Sequence, residues 1–408
     1  MKEQIVVSMT SWRKRLCNVP KVIDSILAQT RKPDVVVLNL AEQEFPNKEI
    51  PAELVDYINN NAKLKLNWVN ADTRVWKKFL PILEEYPEAL IVPIDDDIIY
   101  PKTMIADFMR VHRKYPDDPI SGNKFSFGGV KCHCGCASMV QAKHFEGWRR
   151  FYKHRFRVAC LSSDIFYTRL AAANGYFYRE TDVDYQKTAV TYNEVEGYSA
   201  SLPKGKLAIS DNVVYEALHY SVQKIEDGNK PWCVLCSAQN EAGKEIEKNM
   251  LEWLQPIYNV YLVRHDCTLY EYPGLRMLQL LTERTGKPML YLHTRGAFHR
   301  WKTTSATHRL WRHEFGEERE KYFSLVNTPE ATAACPFSGQ SKYTLYNGFV
   351  VNPAAMAAIP VIEQNENRFI YEKIFEGSNV NVIGTIVNYP DDEETKQAAR
   401  KFLAENYR

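Results

Sequence analysis

Apolar residues in the first half of the chain fall into two alternating patterns. Short continuous runs, each closed by polar or turn-forming residues, read as strands: "QIVVSMTS", "PDVVVLNL", "LKLNWVN" and "ALIVPI". Between them lie stretches with helical spacing. "NVPKVIDSILAQT" places Val22, Ile23, Ile26 and Leu27 on one side of a helix, and "PAELVDYINN" and "WKKFLPILEEY" read the same way. Strands this apolar, separated by helices, predict an α/β fold with a mostly parallel sheet covered by helices on both faces.

The pattern breaks at "KIEDGNKPW", residues 224–232, where polar, Gly and Pro residues interrupt it. It then resumes. "CVLCSAQN", "YNVYLVRHD" and "PMLYLHT" read as strands, with helices at "EIEKNMLEWLQP" and "PGLRMLQLLTER". Two domains are predicted, residues 1–226 and 227–408, the second a further α/β domain of similar pattern. A length of 408 residues agrees with two cores rather than one.

Chemistry concentrates where one strand stops. In "ALIVPIDDDIIYPKTM", residues 89–104, the apolar run ends in Asp95, Asp96 and Asp97. Ligands of open α/β sheets bind beyond the carboxyl ends of the strands. If the strand continued through the cluster, Asp95 and Asp97 would share a face and Asp96 would point away. Hard carboxylate oxygens suit Mg²⁺ or Mn²⁺, with a substrate diphosphate completing the shell. The alternative is a solvated acidic turn before Tyr100 and Pro101.

Composition adds bounds. The chain carries 52 basic and 50 acidic residues, so net charge gives no reason to expect a nucleic-acid partner. Its 24 Tyr and 8 Trp suit carbohydrate faces as well as cores. No secretory leader pattern and no long apolar run are seen, so a cytoplasmic protein without a membrane span is expected. Nine Cys, an odd number scattered along the chain, read as reduced thiols. Cys132, Cys134 and Cys136 with His133 are spaced for packing on a strand better than for zinc, and Cys233 and Cys236 fall on opposite sides of a strand, as core residues.

Five segments in order, "VVSMTSWRKRL", "SILAQTRKPDVVVLNL", "AEQEFP", "WKKFLPILEEYPEALIVPI" and "DDDIIYP", resemble bacterial glycosyltransferases of the GT-A fold, close to the family 2 type, over roughly residues 4–225. The resemblance implies transfer of a sugar from a UDP- or GDP-sugar with Mn²⁺ or Mg²⁺, and inversion at the anomeric carbon. It implies Asp95 and Asp96 near ribose and diphosphate, Asp97 with Asp95 on the metal, and His219 as an added metal ligand. Ser8 and Thr10 would meet the nucleotide, Asp72 the nucleobase and Lys78 or Lys77 the diphosphate. Family members often carry Asp at the end of the second strand; here Asn39 stands there, which leaves the base open. Asp164 in "RVACLSSDIFYTRL" matches the acid facing the acceptor and is the expected catalytic base, though Ser162, Ser163 and Asp164 equally suit a helix N-cap.

The second half resembles a glycosyltransferase-like domain at "YLHTRGAFHRW", "YNGFVVNPAAMAAIP" and "RFIYEKIF", with His293, Arg295 and Glu372 as site candidates. His and Arg cannot form a hard-cation site, but Arg grips phosphate. A second transferase site and an acceptor-binding module are both open there; a solvated helix is the plainer reading of Arg300, Arg309 and Arg312. The resulting expectation is a metal-dependent transferase of bacterial surface polysaccharide or lipopolysaccharide synthesis, with a glycan or lipid-linked acceptor and peripheral contact with the inner membrane. The alternative is a non-catalytic sugar-nucleotide or glycan-binding protein that retains the fold. A nucleotidyltransferase fits less well, because "SMTSWRKRL" lacks the glycines of its phosphate loop.

Overall fold

The computed structural model describes residues 3–122, 126–127, 130–131, 137–151, 163–185, 190–191, 213–294, 303–339, 341–342, 344–365, 367–388 and 392–407. The chain divides into two compact units, Met1–Ala217 and Leu218–Arg408.

In the first unit four strands, β1 (Ile5–Thr10), β2 (Val35–Ala41), β3 (Leu64–Val69) and β4 (Leu90–Ile94), form a sheet in the order β3-β2-β1-β4. Every pairing is parallel. Register brings Thr10 opposite Asn39, Ala41 opposite Val69 and Met9 opposite Ile94, so the four carboxyl ends lie along one edge. Strands β1, β2 and β4 are buried almost throughout, which is why their sequences are apolar without alternation. Edge strand β3 is half-exposed and carries Lys65 outward. Helix α1 (Val19–Leu27) turns Val19, Val22, Ile23 and Ile26 into the core, as its spacing predicts. Helices α2 (Ala52–Asn59), α3 (Leu80–Glu85), α4 (Met104–Lys114) and α5 (Ser163–Ala173) follow.

One element differs in kind. "WKKFLPILEEY" predicts a single helix, but a 3₁₀ segment at Arg74–Lys78 precedes α3, with Phe79 between them. Pro81 has no amide hydrogen and fits only the first turn of a helix, so α3 starts beside it.

The second unit holds a seven-stranded mixed sheet. Its strands are β5 (Tyr220–Ile225), β6 (Trp232–Ala238), β7 (Asn259–His265), β8 (Met289–His293), β9 (Thr332–Ser338), β10 (Phe349–Val351) and β11 (Asn381–Asn388). Their order is β5-β7-β6-β8-β10-β9-β11. Strand β5 lies on the amino side of residue 226 yet pairs antiparallel with β7, within the second unit. Only β5 and β10 run against the other five among the described strands, so the repeated order of elements does not reproduce the all-parallel first sheet. Helices α6 (Glu241–Leu254) and α7 (Tyr272–Thr285) connect the first parallel strands. Asn240 caps α6 by accepting from the Gly243 amide at 2.8 Å.

Cys233 and Cys236 are both fully buried and unpaired. Cys233 sits in the core with Leu254, Trp311 and Phe315, whereas Cys236 lies against α7 at Gly274. A Cβ on Gly274 would lie 2.4 Å from the Cys236 Cβ and 2.6 Å from its Sγ. Gly274→Ala therefore forces α7 away from β6. It is expected to destabilise the chain by about 1–3 kcal/mol, read as a lower urea midpoint.

Candidate functional site

The strands of the first unit end in four loops, and their charged side chains meet over the carboxyl edge of the sheet. Strand β4 stops at Ile94, so Asp95–Asp97 form a turn before the short strand Ile98–Ile99. Strand alternation therefore does not apply to them. Asp96 and Asp97 share a partner, and Asp95 is the one that stands apart. Arg15 Nη1 donates to Asp96 Oδ1 at 2.8 Å and to Asp97 Oδ2 at 3.0 Å. The other oxygen of Asp96 accepts from the Ser11 hydroxyl at 2.6 Å. Asp95 Oδ1 accepts from Lys78 Nζ at 2.6 Å. The Asp95 amide donates to the buried Tyr100 hydroxyl at 2.9 Å, which pins the turn from beneath.

Lys78 reaches Asp95 because the segment after β3 doubles back. Arg74–Lys78 packs across β2 and β1 toward β4, and Trp76, Lys77 and Lys78 are all buried. Trp76 lies against Phe166 and Tyr167 of α5, and Phe79 stacks on Tyr167. The two lysines are thus not a solvated helix face. Lys77 Nζ lies 2.7 Å from Asp72 Oδ1 and 3.5 Å from Glu44 Oε2. Glu44, in the "EFP" segment after β2, also accepts from the Arg13 amide at 3.3 Å. Segments far apart in sequence thus supply separate clusters of paired charge at this edge.

Electrostatics follow from the count. Among the described residues, three carboxylates face two cations, Arg15 and Lys78. Burial pushes the Asp96 carboxyl up despite Ser11 and Arg15. Burial and then the charge of Asp95 push Asp97 up, against the pull of Arg15. Burial works against the charge on Arg15, but Asp96 and Asp97 hold its guanidinium above the ordinary value. For Asp72 burial pushes up, yet Lys77 and Arg74 outweigh it and hold the carboxyl below its usual range.

The remaining expected residues are placed as follows. Ser8 is fully buried; it accepts from Asn39 Nδ2 at 3.0 Å, and Asn39 Oδ1 accepts from Asn67 at 2.9 Å. The Asn39 amide thus links three strands without adding charge. Thr10 donates to the Asn39 carbonyl. Asp164 lies half-buried in the first turn of α5, the helix anchored on Trp76 and Phe79. His219 belongs to the second unit, where it faces Asp266 at 3.2 Å with positive φ. His293, at the end of β8, lies 3.3 Å from Glu271 and 3.1 Å from the Tyr346 carbonyl. Half-buried Glu372 accepts from the Thr344 amide through its own carbonyl. Arg295, Arg300 and the Cys132–Cys136 run lie outside the described residues. Sequence reading missed Ser11 and Arg15. Their signal is position, directly after the strand that neighbours β4.

No protein-family model matches the sequence, and no curated protein matches it significantly. Solved structures do resemble it. S. aureus TarS residues 1–349 in complex with UDP-GlcNAc superposes with TM-score 0.36 and 10% identity, over 53% of this chain and 72% of that one. A longer S. aureus TarS structure gives 0.35 and 12%, over 53% and 43%. A likeness this loose adds nothing to the chemistry of the site. Among the described residues, no helix is long and apolar enough to cross a membrane.

Divalent metal can be weighed against the donor set. Asp96 has both oxygens engaged, whereas Asp95 Oδ2 and Asp97 Oδ1 have no hydrogen bond. Among the described residues no three His, Cys, Asp or Glu side chains form a metal-holding group. Two hard oxygens and an unbalanced negative charge fit Mg²⁺ or Mn²⁺ whose other ligands are water and diphosphate.

A raised carboxyl pKa stabilises the fold below the unfolded value and loses that contribution as pH rises through the folded one. Ionised Asp97 is therefore a burden at neutral pH. In chelator, Asp97→Asn is expected to melt above the wild type at pH 7, by a few degrees, with the gap closing below about pH 4.

Proposed function

We propose that the chain is a metal-dependent glycosyltransferase that moves a sugar from a UDP- or GDP-sugar to a glycan or lipid-linked acceptor. The observation that supports this reading is the pair of unengaged oxygens on Asp95 and Asp97 at the carboxyl edge of a parallel sheet. Asp95 and Asp97 would hold Mn²⁺ or Mg²⁺, which when bound stabilises charge on the departing nucleoside diphosphate. Lys78, already beside Asp95, supplies a further cation toward the same oxygens. Thr10 borders the nucleoside. Asp164 takes the proton of the acceptor hydroxyl, and attack from the face opposite the leaving group inverts the anomeric centre. A lipid-linked acceptor would bring the chain to the inner membrane from the cytoplasmic side, for assembly of surface polysaccharide.

Purified chain incubated with UDP- and GDP-sugars and Mn²⁺ is expected to release nucleoside diphosphate, slowly to water and faster with acceptor. Asp97→Ala should lower kcat/KM by about 100-fold or more. Donor affinity with no turnover under any acceptor would replace this reading with that of a binding module.

A further inference from the structure

Resting on that reading, we infer that Arg15 is a positioning residue, and that Asp96 serves as its anchor rather than as a donor ligand. Asp96 is 7% exposed and both its oxygens are committed, one to Ser11 and one to Arg15. With a donor on each oxygen and so little surface, it is poorly placed to meet a ligand. Arg15 is 9% exposed, and one nitrogen, Nη1, reaches both Asp96 and Asp97. The chain of contacts Ser11–Asp96–Arg15–Asp97 therefore runs from the end of β1 to the one carboxylate of the pair that keeps an oxygen unengaged. Without it, Asp97 sits in a turn after two like charges, and repulsion from Asp95 and Asp96 would set its rotamer. The two N–H bonds of Nη1 are fixed in the guanidinium plane and so fix the directions of both acceptors, whereas an ammonium is a mobile point charge. The role belongs to Arg and not to positive charge alone.

The test uses Arg15→Lys, Asp97→Asn and the double variant, with binding of Mn²⁺ alone and of UDP and GDP with Mn²⁺ followed by calorimetry. Melting temperature serves as the control for folding. Arg15→Lys is expected to weaken the Mn²⁺-dependent binding roughly tenfold, and to add no loss in the Asp97→Asn background. Losses that add show that Arg15 meets the ligand itself and overturn the inference, as does unchanged binding in Arg15→Lys. A crystal structure of Arg15→Lys gives a readout independent of affinity. Asp97 should take a new rotamer while Asp96 stays on Ser11; an unmoved Asp97 overturns the inference. A wild-type chain that binds neither nucleotide with Mn²⁺ sinks the transferase reading first, and this role with it.

Discussion

Three adjacent carboxylates at the end of a buried strand cannot stand unless positive charge is brought to them. That constraint organises the first unit. The cations come from loops that follow two other strands: Arg15 after β1 and Lys78 after β3. Neither arrives by local geometry. Arg15 depends on β1 and β4 being neighbours in the sheet. Lys78 depends on the 74–78 segment folding back over the strand ends, which the aromatic packing of Trp76 against α5 secures. Buried ion pairs are poor sources of stability because desolvation offsets most of the attraction. On the proposed reading, that cost keeps acids where a ligand can use them.

That compensation is incomplete, and the shortfall is informative. Burial and neighbouring charge still disfavour ionised Asp97. A fold selected only for stability would have replaced that side chain. Strained or destabilised positions cluster where function needs them. The end of β8 in the second unit is arranged differently. His293 sits between the Glu271 carboxylate and the Tyr346 carbonyl, and Tyr346 itself has a positive φ of 72°.

Much of this was legible in the residues. The α/β order, the strand limits near the site, the burial of α1 and the core placement of Cys233 and Cys236 follow from hydrophobic period alone. The pairing of partners within Asp95–Asp97 does not, because side chains alternate only along a strand and the backbone turns here. Pro81 was the residue that could have split the helix in "WKKFLPILEEY", and with it moved the lysines from an exposed face into the interior. Arg15 was invisible for a different reason. A basic residue among three in "SWRKRL" becomes distinctive only when the pairing order of the sheet sets one of them beside Asp96. The two reversed strands of the second sheet carry no mark of direction in their sequences.

The span of the Arg15–Asp96 contact, 81 residues, has a bearing on how the molecule is made. A polypeptide leaves the ribosome from its amino end, so Arg15 and Lys78 both precede the acids in time. The packing that seats Lys78, Trp76 against α5, nevertheless comes from residues made after the acids. The anionic corner is therefore complete only once α5 has joined the first unit.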